Sequence, residues 1–547
     1  MNLAFTVSDS YIDYMGTTLY SIMIQTRNCP VAVYVLTSDI SDYSRFKLKK
    51  LENHFDHLTI HVLLVDPGQF EAFPLNRSHI TRPEVYFRMA FTSLLPDLDR
   101  ILYLDSDILA QKDLLPLWET PLDGAYMAAV SEPPSEGGFN YRRSIGMTDP
   151  TYYFNSGVLL MDLKKMREDQ IEPLLFECGQ AIKDKICLQD QDIINVALEG
   201  KIKVLDPIYN YGYMEKQASL RKDEEVVLNH FSLEKPWNTH KDVPEYNRAS
   251  VNRYLDCHKS YLQFIEPKIS LLVPIVEAAT AIDKTLDAIR KQVYRNIDCI
   301  ILDYSADQKT KEGCQKFLRY SSLFRYYSLS PDRKKHYLQD GLERMAGSYL
   351  SLIQADDWVD PFYLAKLFLA LENGASGISK ATSCSFEVDS GTFYFFDPLY
   401  KQTSCPSGQA YLEKVALTLS QQTSYYHSLA GTLLAPPLVT AAWQRRAELP
   451  SQLLTRLLIH AQPRLTYLPE VLYVTSDQDT SPVQGEQESA VLDDFRNLQK
   501  YQLLTSGYDL AFYRQELSAL SKKAASHSTS LADQIQLELD LVDSINH

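Results

Sequence analysis

The chain has 547 residues, 45% of them hydrophobic and 23% charged, with a formal net charge of −16. That length exceeds one ordinary core and suggests about three domains, and no stretch approaches the roughly 18 uninterrupted apolar residues of a membrane helix. The acidic balance argues against affinity for nucleic acid or anionic lipid, and the eight cysteines, scattered without a CxxC pair, suggest neither a disulfide framework nor a zinc cluster.

The first residues, Met1 to Asp9, lack a basic leader and a long apolar core, so they do not read as a secretory signal. Together with the reduced thiols, this points to a cytoplasmic protein. Leu3 to Val7 reads as a short apolar strand, and Ser8-Asp9-Ser10 as the cap of a helix from about Tyr11 to Thr26. A second strand at Val31 to Leu36, a Lys-rich helix around Ser41 to Phe55 and a third strand at Leu58 to Val65 continue the alternation. Strand and helix in turn predict an α/β fold with parallel strands and helices on both faces. No GxGxxG follows the first strand, so no dinucleotide-type glycine loop is present.

Arg100 to Asp107 reads Arg-Ile-Leu-Tyr-Leu-Asp-Ser-Asp. Four consecutive apolar residues predict a strand buried on both faces. Side chains two apart on an extended chain point the same way, so the carboxylates of Asp105 and Asp107 project together from the strand's carboxyl end, where open α/β sheets bind ligands. Two carboxylates so placed repel unless a cation sits between them, which makes a divalent metal the natural third party. An isolated Asp-x-Asp is more often a turn.

Ser8-Asp9-Ser10-Tyr11, Phe73-Pro74-Leu75-Asn76, Tyr86-Phe87-Arg88, Leu104 to Asp107, Tyr153 to Val158, Gln189-Asp190-Gln191-Asp192 and Lys235-Pro236-Trp237 follow one another along the chain. In their order they resemble glycosyltransferase family 8, over residues 1 to about 245. The resemblance implies a GT-A (Rossmann-like) fold, a UDP-hexose donor, Mn²⁺, and retention of anomeric configuration. It implies Asp105, Asp107 and His230 as metal ligands, a set suited to Mn²⁺ because carboxylates favour hard cations and imidazole transition metals. It places Thr6, Ser8, Asp9, Tyr11, Arg88, Asp105, Ser106, Asn155, Asp190, Gln191, His230 and Lys235 around the donor. Asp190 and Gln191 carry the catalytic expectation: Asp190 resembles the contact to the donor hexose hydroxyls, and Gln191 the residue nearest the anomeric carbon. The whole run from Gln189 to Asp192 is expected to line the sugar side, beyond capping a helix. An amide is a poor nucleophile, so front-face substitution follows, in which the departing phosphate helps deprotonate the acceptor hydroxyl.

The chain departs from the family pattern in two places: Ser8 stands where an acid is common, and His230 to Trp237 is one residue shorter than HxxGxxKPW and lacks its glycine. The resemblance implies UDP-galactose or UDP-glucose as the donor, without deciding between them. It implies an acceptor glycan, on a glycoprotein, on a lipid carrier or in a wall polymer, with partner glycosyltransferases as a further class of partner.

After Glu266-Pro267 a new strand, Ile269 to Pro274, restarts the alternation. A helix near Thr285 to Val293, a strand at Cys299 to Asp303, the stretch Gly347 to Pro361 and, more weakly, Tyr467 to Tyr473 resemble glycosyltransferase family 2. That family has acids where this chain has Tyr304 and Gln354, and an acidic pair where Ser451 and Gln452 stand. A neutral amide binds a divalent ion far less well than a carboxylate, so a second GT-A-like domain with little or no catalysis is expected, with Asp356 and Asp357 capping the helix after Pro361. Residues 1–265 form the expected catalytic domain, 266–482 the second domain and 483–547 a helical tail, with apolar stripes at Leu492, Phe495, Leu498 and at Leu531, Ile535, Leu537, Leu541. Two other readings compete with a hexosyltransferase whose first domain is active. One is a non-catalytic glycan-binding or scaffolding subunit, the other a bifunctional enzyme.

Overall fold

The computed structural model describes residues 1–27, 29–75, 82–132, 137–212, 225–232, 235–237, 245–318, 323–387, 392–395, 399–407, 410–411, 429–444, 454, 457–458 and 463–477. The chain divides into two compact units, Met1–Ile265 and Glu266–His547.

In the first unit the strands are β1 (Asn2–Thr6), β2 (Val31–Thr37), β3 (Leu58–Leu64), β4 (Arg100–Leu104), β5 (Ile108–Ala110), β6 (Met127–Val130), β7 (Val158–Asp162), β8 (Ile202–Leu205), β9 (Tyr211–Gly212) and β10 (Leu228–His230). Among the described residues seven of them form one sheet in the order β3-β2-β1-β4-β7-β6-β8, and β5-β10-β9 form a small second sheet. The alternation along β4 shows why the large sheet is buried twice over. Leu102 and Leu104 join one apolar cluster with Leu3, Phe5, Val158 and Leu160, while Ile101 and Tyr103 join the other with Ala4, Leu159 and Met161. Each such side chain contributes roughly 1.5–3 kcal/mol by leaving water, so the first polar positions available are those just past the strand's end, at Asp105.

Helices α1 (Ile12–Gln25), α2 (Asp42–His54), α3 (Asp190–Ala197) and α4 (Glu245–Ile265) bear on the site. Ser41 caps α2 by accepting a hydrogen bond from Ser44 N, as its residue type favours. A single 3₁₀ turn, Asp9–Tyr11, precedes α1, and Ser8 makes no side-chain cap. The predicted cap at Ser8-Asp9-Ser10 is therefore replaced by a tighter backbone turn in which Tyr11 N donates to Ser8 O.

All-parallel pairing is corrected. β1, β2, β3 and β4 run parallel, but β7 is antiparallel to both β4 and β6. A strand buried on both faces has the same apolar pattern in either direction, so direction is not written in it.

The second unit holds β11 (Ile269–Ile275), β12 (Ile297–Asp303), β13 (Phe324–Ser328), β14 (Tyr349–Leu352), β15 (Trp358–Val359), β16 (Ile378–Glu387), β17 (Thr392–Phe395), β18 (Thr432–Leu434) and β19 (Leu465–Asp477). Their order is β13-β12-β11-β14-β18-β16-β19-β15, with β17 paired to β16. The helix predicted near Thr285 to Val293 is α5 (Ile282–Arg290). Tyr467 to Tyr473 lies within β19. Both units are α/β sheets consistent with GT-A domains. Ser451, Gln452 and the tail from residue 478 lie outside the described residues.

Asp356 and Asp357 do not cap the helix after Pro361. Asp356 accepts hydrogen bonds from Thr280 N (2.9 Å) and Ala281 N (2.7 Å), the residues that open α5, and Asp357 accepts one from Tyr473 Oη at 2.7 Å. The role near Pro361 falls to Asp360, which accepts from Phe362 N. Local spacing pointed to the nearer helix, but the sheet carries Asp356 to one that begins 74 residues earlier in sequence.

Candidate functional site

β4 ends at Leu104, and the connection Asp105-Ser106-Asp107 leads into β5. Asp105 N donates to Gly157 O at 2.8 Å, and Phe231 N donates to Asp107 O at 3.0 Å, so backbone bonds fix both acids. The third group comes from the small sheet. β10 pairs with β5 antiparallel, His230 opposite Ile108, a register that sets the imidazole beside Asp107.

His230 Nε2 lies 3.3 Å from Asp107 Oδ1 and 3.6 Å from Asp105 Oδ2. The three residues can offer ligand atoms that all fall within 4.8 Å of one another, the one such grouping among the described residues. Asp107 and His230 are buried and Asp105 is partly open. Lys235 Nζ pairs with Asp107 Oδ2 and donates to Phe231 O. Burial opposes charge on Asp107, but His230 and Lys235 outweigh it and hold its carboxyl below the usual range. Burial likewise opposes charge on His230, which Asp107 nevertheless pushes up. Two carboxylates and an imidazole around one small space fit a divalent transition ion, and Gly157 leaves that space open: a β-carbon there would meet both His230 and Asp105.

Arg88, buried in a 3₁₀ segment Pro83–Ala90, connects this cluster to the sugar-side candidates. It lies 3.2 Å from Asp105 Oδ1 and 3.2 Å from Asp190 Oδ2, donates to Ser156 O at 2.7 Å, and stands over the Tyr103 ring at 4.0 Å. The Asp190 contact is an ion pair by distance only, because Arg88 Nε and Asp190 Oδ2 are not aligned to hydrogen bond. Burial pushes the Asp190 carboxyl up to about 7, with Asp105 adding to the rise and Arg88 opposing it. Gln189, just before it, sits at a strained φ of 48° with its buried Nε2 lacking a partner among the described residues. Strain and unmet polar atoms on one turn are features that ligand sites concentrate.

Gln191 Oε1 accepts from Ser156 N at 3.0 Å, and its Nε2 donates to Glu132 Oε2 at 3.0 Å. Asp192 departs from the expectation that the whole run faces sugar: it is wholly buried and accepts from Tyr153 Oη, Tyr141 Oη, Cys187 N and Leu188 N. Its carboxylate pins the loop that leads into α3.

The remaining candidates gather where β1 and β4 end. Thr6 Oγ1 is 3.3 Å from Tyr103 Oη, which donates to Asp105 Oδ1 at 2.5 Å. Ser8 Oγ lies 3.1 Å from Ser10 Oγ. Asp9 Oδ1 is engaged by Ser41 N and Ser41 Oγ, which ties it to the start of α2. Ser106 O accepts from Thr18. Tyr11 meets Trp237 edge-on at 6.3 Å between ring centroids, and Tyr14 stacks on Trp237 at 3.7 Å. Asn155 sits among Gly157, Glu132 and Asn210. Glu132 and Asn210 carry no signal in the sequence, where each is a single polar residue with no surrounding motif.

Among the described residues no helix is long and apolar enough to cross a membrane. Residues 2–241 match the model for glycosyl transferase family 8, and residues 270–395 that for glycosyl transferase family 2. Similar proteins include glycosyltransferase GlyF of Streptococcus pneumoniae serotype 4, 31% identical over 246 residues, which cover 44% of this chain and 58% of GlyF. The lipopolysaccharide 1,2-glucosyltransferase of Escherichia coli K12 is 28% identical over 254 residues, covering 44% of this chain and 73% of that protein. A crystal structure of galactosyltransferase LgtC with donor and acceptor sugar analogues is 28% identical, covers 48% of this chain and 96% of LgtC, and has a TM-score of 0.42.

Proposed function

Residues 2–241 are a glycosyltransferase family 8 domain and residues 270–395 a glycosyltransferase family 2 domain, and from that premise we propose that the chain is a retaining, Mn²⁺-dependent hexosyltransferase whose first domain does the chemistry. It takes galactose or glucose from a UDP-sugar and extends an acceptor glycan. The observation that carries this reading is the convergence of Asp105, Asp107 and His230 beside the Arg88 and Asp190 edge. The lipopolysaccharide glucosyltransferase among the relatives supports a hexosyl donor.

Asp105, Asp107 and His230 would hold the ion, which when bound acts as a Lewis acid on the charge that UDP acquires as it departs. Lys235, now on Asp107, adds a second positive group on the diphosphate side. Arg88 positions Asp190 and the Ser156 backbone, and the unmet atoms of Gln189 and Asp190 receive sugar hydroxyls. A hexose lacking a matching hydroxyl would leave such an atom unpaired at a cost of about 1–3 kcal/mol. Gln191, its amide held on both sides, supports the anomeric carbon while the acceptor oxygen bonds to it, the bond to phosphate breaks, and the acceptor proton passes to a phosphate oxygen.

In the second domain Asp303 accepts from Ser305 and Tyr326, while Asp356 and Asp357 are engaged as described above. These engagements support a structural role for the three acids. The test is a donor screen that reads released UDP from UDP-galactose and UDP-glucose, with and without Mn²⁺. The parent should turn over one donor only with the metal, and a D105N/D107N protein neither. Undiminished turnover by that variant would falsify the assignment.

A further inference from the structure

A chain of hydrogen bonds leads from the metal-ligand candidate His230 to Gln191, and two backbone amides fix its direction. Gly157 N donates to Asn155 Oδ1 at 2.9 Å. A backbone N–H can only donate, so the oxygen of the Asn155 amide is identified and its Nδ2 must be the atom facing Glu132 Oε2 at 3.2 Å. Asn210 then presents Nδ2 to Asn155 Oδ1 at 2.9 Å. Its other atom, Oδ1, faces His230 Nδ1 at 2.8 Å. An amide oxygen accepts only, so His230 Nδ1 carries the proton. The second amide acts the same way: Ser156 N donates to Gln191 Oε1, leaving Gln191 Nε2 to donate to Glu132 Oε2.

We propose that Asn210 is a positioning residue that holds His230 with its proton on Nδ1 and its Nε2 turned to Asp105 and Asp107, and that Glu132 joins this relay to Gln191. The proposal rests on the metal reading above for its purpose, but its geometry is independent of it. Outer partners of this kind fix the tautomer and the ring plane of a ligating histidine. Here the fixing is strict because His230 and Asn210 are both buried, so water does not offer Nδ1 another acceptor. Both bonds on Glu132 end on Oε2, which makes its charge dispensable: an amide with its oxygen in that place keeps both donors.

The test uses the full chain and two readouts. Nitrogen-15 NMR of the histidine ring in metal-free protein at pH 9, assigned by the signal lost in H230Q, should show a proton on Nδ1. N210A should move His230 toward Nε2–H, and N155A should do so in part. E132Q should not. Free Mn²⁺ followed by electron paramagnetic resonance should give a metal affinity roughly 10- to 100-fold lower in N210A and unchanged in E132Q. An Nε2–H tautomer in the parent would overturn the proposal, as would an N210A protein that keeps both tautomer and affinity. Should the parent show Nδ1–H, lost in N210A, yet bind no Mn²⁺, the metal reading fails and the positioning stands. If N210A fails to fold, N155A and N210D carry the comparison, the second retaining an acceptor for Nδ1.

Discussion

Gly157 lies so close to His230 that a β-carbon would stand 2.3 Å from the imidazole Cε1, and 2.9 Å from Asp105 Oδ2. Either contact is well inside van der Waals range, so one side chain must move. Because Gly157 O also accepts from Asp105 N, the loop cannot simply retreat. G157A is expected to lose Mn²⁺ binding and UDP release while keeping most of its thermal stability. Titration of free Mn²⁺ checks this, and parent-like affinity in G157A would show that the imidazole has room to shift without cost.

Asp190 gives a pH dependence. Its carboxyl is raised by burial from 3.8 to about 7, so between those values the folded chain holds a proton that the unfolded chain has lost. Stability from this group is therefore complete below about pH 4 and declines as pH rises to about 7. D190N removes the term, leaving Arg88 its Asp105 partner. The melting temperature of D190N relative to the parent should climb between pH 4 and pH 7 and level off above, even as transfer is lost. A difference that stays flat, or falls, would mean that the Arg88 pair governs Asp190 instead.

Much of this site is legible in the amino-acid sequence itself. Arg100 to Asp107 announces its own geometry, since an apolar run must be buried and residues two apart share a face. His230 is different: nothing in Asn229-His230-Phe231 says where the imidazole goes, and only the ordered motifs supplied it. The antiparallel β7 was not legible because a doubly buried strand carries no mark of direction. Glu132 and Asn210 escaped because a hydrogen-bond relay is a property of places, and its successive members stand 20 to 59 residues apart. Asp356 misled for the same reason, its partners lying 75 and 76 residues away.

Asp356 also tests the division of labour between the domains. As the acceptor for Thr280 N and Ala281 N it ties down the turn just ahead of α5. A hydrogen bond of this kind contributes about 0.5–1.5 kcal/mol, so D356A should melt earlier. UDP release should be unchanged, and equilibrium counting of bound Mn²⁺ should give one ion per chain in both D356A and the parent. A second ion that disappears with Asp356 would place metal chemistry in the second domain.

Trp237 supplies the last prediction, because it stands two residues beyond Lys235 and stacks on Tyr14 at 3.7 Å with planes 12° apart. Tyr14 belongs to α1, whose neighbour α4 adds Tyr254 against the same indole at 5.7 Å. The turn that delivers Lys235 to Asp107 is thus anchored to two helices by its aromatic end. Losing the indole should loosen the lysine without touching Asp105, Asp107 or His230. W237A is expected to bind free Mn²⁺ like the parent but to bind UDP more weakly and turn over more slowly. Stacked pairs contribute about 0.5–1.5 kcal/mol beyond their buried area, so a double-mutant cycle of W237A with Y14A should show coupling of that size in UDP binding. Strict additivity would mean that the stack packs the fold and leaves Lys235 to find the phosphate unaided.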